Sequence, residues 1–177
     1  MRSTSLSIRK LTLSAMLVAV GLLLPFVTGQ IQVIGNMLSP MHLPVFIAGL
    51  LCGPVWGCAV GAVLPLLRSF LFGMPPLMPT AAAMTFELAA YGLFSGLLRK
   101  ALPKTLAMLY ASLCVSMVLG RVVWGFACLF FYGFVDRSFT WQLFVTNGFV
   151  NAIPGIILQL IVIPPIVRAV ENARLVD

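Results

Sequence analysis

Arg68, Glu87 and Arg121 are the three charges that this apolar chain keeps inside its long hydrophobic runs. Arginine does not give up its proton to escape burial. Placing a charge at mid-span costs at least about 2.5–3.5 kcal/mol on insertion scales, so such residues face a partner or a wet cavity. Two guanidinium groups against one carboxylate leave one positive charge uncompensated, and a ligand carboxylate would fill that vacancy through bidentate hydrogen bonds. Asn147 and Asn151 lie four residues apart on one helix face. With Tyr91 they offer partners to hydroxyls or an amide, and Trp124 offers an apolar wall. Asn36, in an outer loop, either lids such a pocket or makes a turn. The competing reading is structural: Glu87 locks helices by pairing with one arginine, while Arg68 snorkels outward. The lone histidine, His42, sits between Pro40 and Pro44 and reads as a loop-end hydrogen-bonding group. Gln159 reads as an interhelical hydrogen bond.

The elements that must position these groups follow from composition. Of 177 residues, 61% are hydrophobic and 8% charged, and the mean hydropathy is +1.10. A soluble domain needs far more polar surface, so the chain reads as an all-α integral membrane protein. At about 20 residues per span there is room for about six helices. The apolar runs lack the alternation of a barrel. The spans are predicted over about Leu11–Val27, His42–Cys52, Val55–Phe72, Thr80–Leu98, Thr105–Phe134 and Trp141–Val170, after a basic head at 1–10. The second is short for a span, so the preceding 28–41 loop is expected to dip into the protein. Gly57 and Gly61 make a small-xxx-small face on the third, and Gly73–Pro79 is a proline loop. Pro154 and the Pro164-Pro165 pair are expected to bend the last helix. The first apolar run follows Arg2, Arg9 and Lys10, and without a small-x-small cleavage signal before a polar domain it reads as a retained helix.

Arg2, Arg9, Lys10, Arg99, Lys100, Lys104, Arg168 and Arg174 fall on the side of both termini, against Arg137 on the other. Positive charge marks the cytoplasmic face, so both termini are placed in the cytoplasm. At about 1.5 Å per residue, Arg68 then lies roughly 6–8 Å and Glu87 roughly 10 Å below the outer helix ends, and Arg121 about 20 Å along its helix. The net charge of +7 is dispersed at span ends and explained by topology, so no nucleic-acid partner is expected. Cys52, Cys58, Cys114 and Cys128 lack CxxC spacing and read as buried apolar thiols. There is no GxxxxGK[ST], HExxH or GxSxG. No ATPase, hydrolase or metal chemistry is implied, and no cofactor.

Ala15-Met16-Leu17-Val18-Ala19 puts two small residues one turn apart on the first helix. With six helices, cytoplasmic termini and this Ala-xxx-Ala segment, the chain resembles the substrate-binding (S) components of energy-coupling factor (ECF) transporters. His42-Leu43-Pro44-Val45, the Gly49–Gly61 region, Arg68 through Pro76, Pro79-Thr80-Ala81, Phe86-Glu87-Leu88 and Tyr91-Gly92 look most like the pantothenate-type members. The resemblance implies one transmembrane domain over 1–177 in the bacterial plasma membrane, surrounded by lipid. It implies a small anionic vitamin as substrate, bound from outside, and no catalysis by this chain. A transmembrane coupling protein and two cytoplasmic ATPases are the implied partners, with Ala15 and Ala19 against the coupling protein. Nicotinate, a pyridoxine- or pyrimidine-like precursor or a queuosine-type base remain open as substrates, as does a structural membrane protein without a ligand.

Overall fold

A computed structural model of the chain describes residues 2–27, 38–133 and 139–173. Asn36, Asp136, Arg137, Arg174 and most of the 28–41 loop lie outside the described residues. The elements are α1 (Arg2–Val27), α2 (His42–Cys52), α3 (Pro54–Phe72), α4 (Ala82–Ala101), α5 (Leu106–Gly133), α6 (Trp141–Val145) and α7 (Ile153–Asn172). There is no strand among the described residues. Five helical stretches are long and apolar enough to cross a membrane: 7–26, 54–72, 77–101, 106–133 and 141–172. Phe70, Phe126, Phe130 and Ile161 are each more than 60% exposed, an apolar surface suited to lipid.

Three boundaries differ from the sequence reading. The basic head at 1–10 is not a separate tail, since α1 begins at Arg2. The proline loop is shorter than predicted, because Leu77–Ala81 already forms one wide turn, closed by the Ala81 amide on the Pro76 carbonyl at 2.9 Å. The last helix breaks early: α6 ends in a second wide turn, Thr146–Val150, closed by Asn151 N on Thr146 O at 2.8 Å. Helix α7 then restarts with Pro154 in its first turn and continues through Pro164 and Pro165. A turn with i→i+5 bonding inserts one residue and rotates the side chains that follow it. Among the cysteines, Cys52 and Cys128 are buried as expected, while Cys114 is exposed on the outside of α5.

The short helix α2 is the interior of the bundle. Eleven residues rise only about 16 Å, half the hydrocarbon thickness, and ten of the eleven are buried. It is surrounded by α1, α3, α4 and α7, with Val45, Phe46 and Leu50 packed against Leu17, Leu64, Leu88, Tyr91 and Ile163. Gly53, at φ +100°, turns the chain sharply from α2 into α3. The α2–α3–α4 contact is backbone to backbone. A Cβ on Gly57 would lie 2.5 Å from Gly49 Cα and 2.6 Å from Gly92 O, and one on Gly61 would overlap the Leu88 carbonyl. The small-xxx-small face predicted on α3 is therefore the seam on which α4 seats.

Gly61→Val is expected to destabilise by at least the roughly 1–3 kcal/mol typical of overpacking. Ala59→Val, on the exposed side of the same helix, is expected to leave the melting temperature within about a degree or two. Equal melting of the two purified variants would contradict so close a seam.

Candidate functional site

Glu87 is the centre of the outer polar cluster. It lies on α4, 2% exposed, and one carboxylate oxygen, Oε1, gathers three neighbours. Tyr91, one turn along the same face, donates its hydroxyl at 2.9 Å. Arg121 on α5 donates Nη1 at 2.7 Å. His42, the first residue of α2, brings Nε2 to 3.7 Å. The other histidine nitrogen, Nδ1, lies 3.1 Å from the Ser39 carbonyl, a contact it makes only by donating. Nε2 is buried without a hydrogen-bond partner. The loop-end bond predicted for His42 is present, and the ring also reaches the cluster.

Packing fixes this geometry. The Tyr91 ring lies 4.8 Å from that of Phe46 and 5.2 Å from that of His42. Gly120, preceding Arg121, clears the space for it, since a Cβ there would overlap the Tyr91 ring edge. The i,i+4 spacing of Glu87 and Tyr91 was legible in the sequence. Gly120 and the approach of His42 were not, because they depend on which helices become neighbours. A buried pair of this kind carries a desolvation penalty that its own attraction only partly offsets. The hydroxyl bond from Tyr91 helps by satisfying a further lone pair.

Arg68 does not join this cluster. It is buried in the α1–α3 seam, donating Nη1 to the Leu22 carbonyl at 2.8 Å. Its guanidinium carbon lies 5.4 Å from the Phe26 ring centre and 5.5 Å from that of Phe72. No ion pair links it to Glu87 among the described residues. The two-arginine clamp expected from the sequence is thus separated, and the Glu87–Arg121 pair is neutral by itself. Nor does Arg68 snorkel outward, because aromatic faces and a backbone carbonyl hold it. Trp124 packs against Phe144 at 6.0 Å and edge-on to Phe139 at 5.7 Å. Asn151 donates Nδ2 to Asn147 Oδ1 at 3.1 Å, and both residues are exposed. They share a face, as their spacing predicted, but they turn to each other. Ala15 and Ala19 are exposed on α1 beside Met16 and Val20.

The described residues thus form a small apolar helical bundle with a buried polar cluster near one end and an open small-residue face on α1. The family model of the ECF transporter, substrate-specific component, matches residues 9–167. The chain belongs to this family. No curated protein and no solved structure matches it. As an S component it is the membrane-embedded substrate-binding subunit of an ECF importer in the bacterial plasma membrane. It works with a transmembrane coupling component and ATPases and is not itself an enzyme.

Removing one member of the buried pair leaves the other uncompensated. Glu87→Leu is expected to cost about 3–5 kcal/mol, and Glu87→Leu/Arg121→Met to recover most of that loss. Thermal melting of the two purified variants checks this. A double variant destabilised by the sum of the single losses would contradict a coupled pair.

Proposed function

We propose that this S component binds a small vitamin bearing a carboxylate, pantothenate above others, and that Arg121 receives the carboxylate. One observation carries this reading. Glu87 engages Arg121 through Nη1 alone, and no described residue bonds its Nε or Nη2. A guanidinium held at one corner presents a free edge with the geometry of a bidentate carboxylate site. Glu87 then orients the arginine. Its Oε2, which none of the three neighbours engages, is the acceptor for a ligand hydroxyl.

The charge argument changes with the geometry. Two arginines do not converge to leave a surplus positive charge. The Glu87–Arg121 pair is neutral, so a bound carboxylate makes the site net negative, and bidentate bonds to the open edge of Arg121 must offset that cost. Tyr91 forms the floor and Trp124 an apolar wall. Asn147, Asn151 and Asn36 are assigned to the ligand's hydroxyls and amide once the outer loops close. Arg68 is assigned to holding α1 against α3. Nicotinate shares the carboxylate and is the next candidate. A pyridoxine- or pyrimidine-like precursor or a queuosine-type base would have to use Glu87 instead.

Arg121→Lys retains a cation beside Glu87 but loses the fork. It is expected to weaken pantothenate binding at least about tenfold with little loss of thermal stability, as read by calorimetric titration of the purified chain; unchanged affinity would overturn the assignment. Ala15 and Ala19 are proposed to contact the coupling component, since small exposed residues one turn apart admit close helix approach. Ala15→Trp is expected to leave vitamin binding intact and abolish uptake by cells carrying the complete transporter. Normal uptake would remove that contact from the scheme.

A further inference from the structure

The opposite end of the bundle carries a second polar feature, independent of the Glu87 cluster. A cavity of about 330 Å³ opens between the α2–α3 and α4–α5 turns, within the about 300–1,000 Å³ of small-molecule pockets. Among the described residues, four cations line it, Lys10, Arg99, Lys100 and Lys104, and one carboxylate, Glu171. That carboxylate is already committed. Arg99 donates Nε to Glu171 Oε1 at 3.2 Å, and Nη2 to Oε1 and Oε2 at 2.6 and 2.9 Å. Arg99 is only 5% exposed, and its Nη1 is buried with no hydrogen-bond partner.

Topology explains why cations collect at this end, and the C-terminus of α4 favours Arg99 and Lys100 in its last turn. Neither explains a hollow between them or a buried guanidinium nitrogen without an acceptor, which costs free energy unless something fills it. Helices α2 and α4 end beside this hollow while α3 begins there. Their terminal dipoles oppose one another, and the surplus positive charge resides in the side chains. An occupant with several acceptor oxygens and more than one negative lone-pair face suits such a lining better than a single carboxylate.

We propose that this cavity is a site for a phosphate group, filled in the membrane by the headgroup of an anionic phospholipid of the cytoplasmic leaflet. Basic pockets between helices at that depth recognise headgroup phosphates. Arg99, braced by Glu171, forms the inner wall. Lys100, whose stem passes 3.5 Å from the position of a Cβ on Gly53, and Lys10 on α1 close the site from either side. The bound phosphate ties the first half of α1, at Lys10, and the start of α3 to the end of α4.

The test uses the full chain in neutral detergent, with bound lipid counted by native mass spectrometry and melting followed in parallel. Phosphatidylglycerol, phosphatidylcholine and inorganic phosphate are the probes. Phosphatidylglycerol is expected to bind saturably and raise the melting temperature, with phosphatidylcholine much weaker. Lys10→Gln/Lys100→Gln, which leaves the Arg99–Glu171 pair intact, is expected to weaken phosphatidylglycerol about 25-fold, taking about fivefold per basic residue. Arg9→Gln/Arg168→Gln removes two cations that do not line the cavity and is expected to change nothing. Stabilisation by inorganic phosphate alone, lost in the same lysine variant, would support the site with free phosphate as its source. Equal binding of the two lipids, no binding of any probe, or equal losses in both double variants would overturn it.

Discussion

A carboxylate and a guanidinium 2.7 Å apart between α4 and α5 constrain everything at the outer end of this protein. Neither group is stable alone in an apolar bundle, so the two helices must hold the register that joins them. That register places Tyr91 against Glu87, requires glycine at position 120, and orders His42 at the start of α2. The same carboxylate fixes one corner of Arg121 and leaves its other edge open. On the proposed assignment a structural lock and a ligand anchor are not rival roles, because the lock would supply the preorganisation that binding needs.

The bundle supports this pair by unusual means. Its most buried helix, α2, is too short to span a bilayer and acts as packing material for α1, α3, α4 and α7. Glycines 49, 57, 61 and 92 let α2, α3 and α4 approach backbone to backbone, an arrangement that suits lipid, where close van der Waals contact replaces the hydrophobic drive between helices. Helix α1 is attached differently. Arg68 fastens its outer turn through Leu22 and two aromatic rings, while its other face, with Ala15 and Ala19, stays open. The division suits a subunit that holds its substrate with one set of helices and meets its partner with another.

Much of this was legible in the sequence, for reasons that also mark the limit. Apolar run lengths and the one-sided distribution of basic residues report on spans and orientation directly, and the family follows from motifs along almost the whole chain. The Glu87–Tyr91 face and the Gly57–Gly61 face follow from helical periodicity, which is a local property. Depth along a helix was also readable, and it placed Arg68 and Glu87 at similar heights. Height says nothing of azimuth, and Arg68 faces α1 where Glu87 faces α5. His42 was read from its proline neighbours, which describe one ring nitrogen and not the other. Asn147 and Asn151 were read on a regular helix, and the wide turn at Thr146–Val150 changes what their face meets.

The most direct test compares pantothenate with its alcohol, pantothenol, in thermal shift of the detergent-purified chain. The two share every group except the carboxylate that Arg121 is assigned to hold. At a hundredfold excess over its dissociation constant, pantothenate is expected to stabilise the fold by about 2.7 kcal/mol, and pantothenol at the same concentration to give little or no shift. Equal stabilisation by the alcohol would remove the carboxylate from Arg121 and leave the buried pair with a structural role alone.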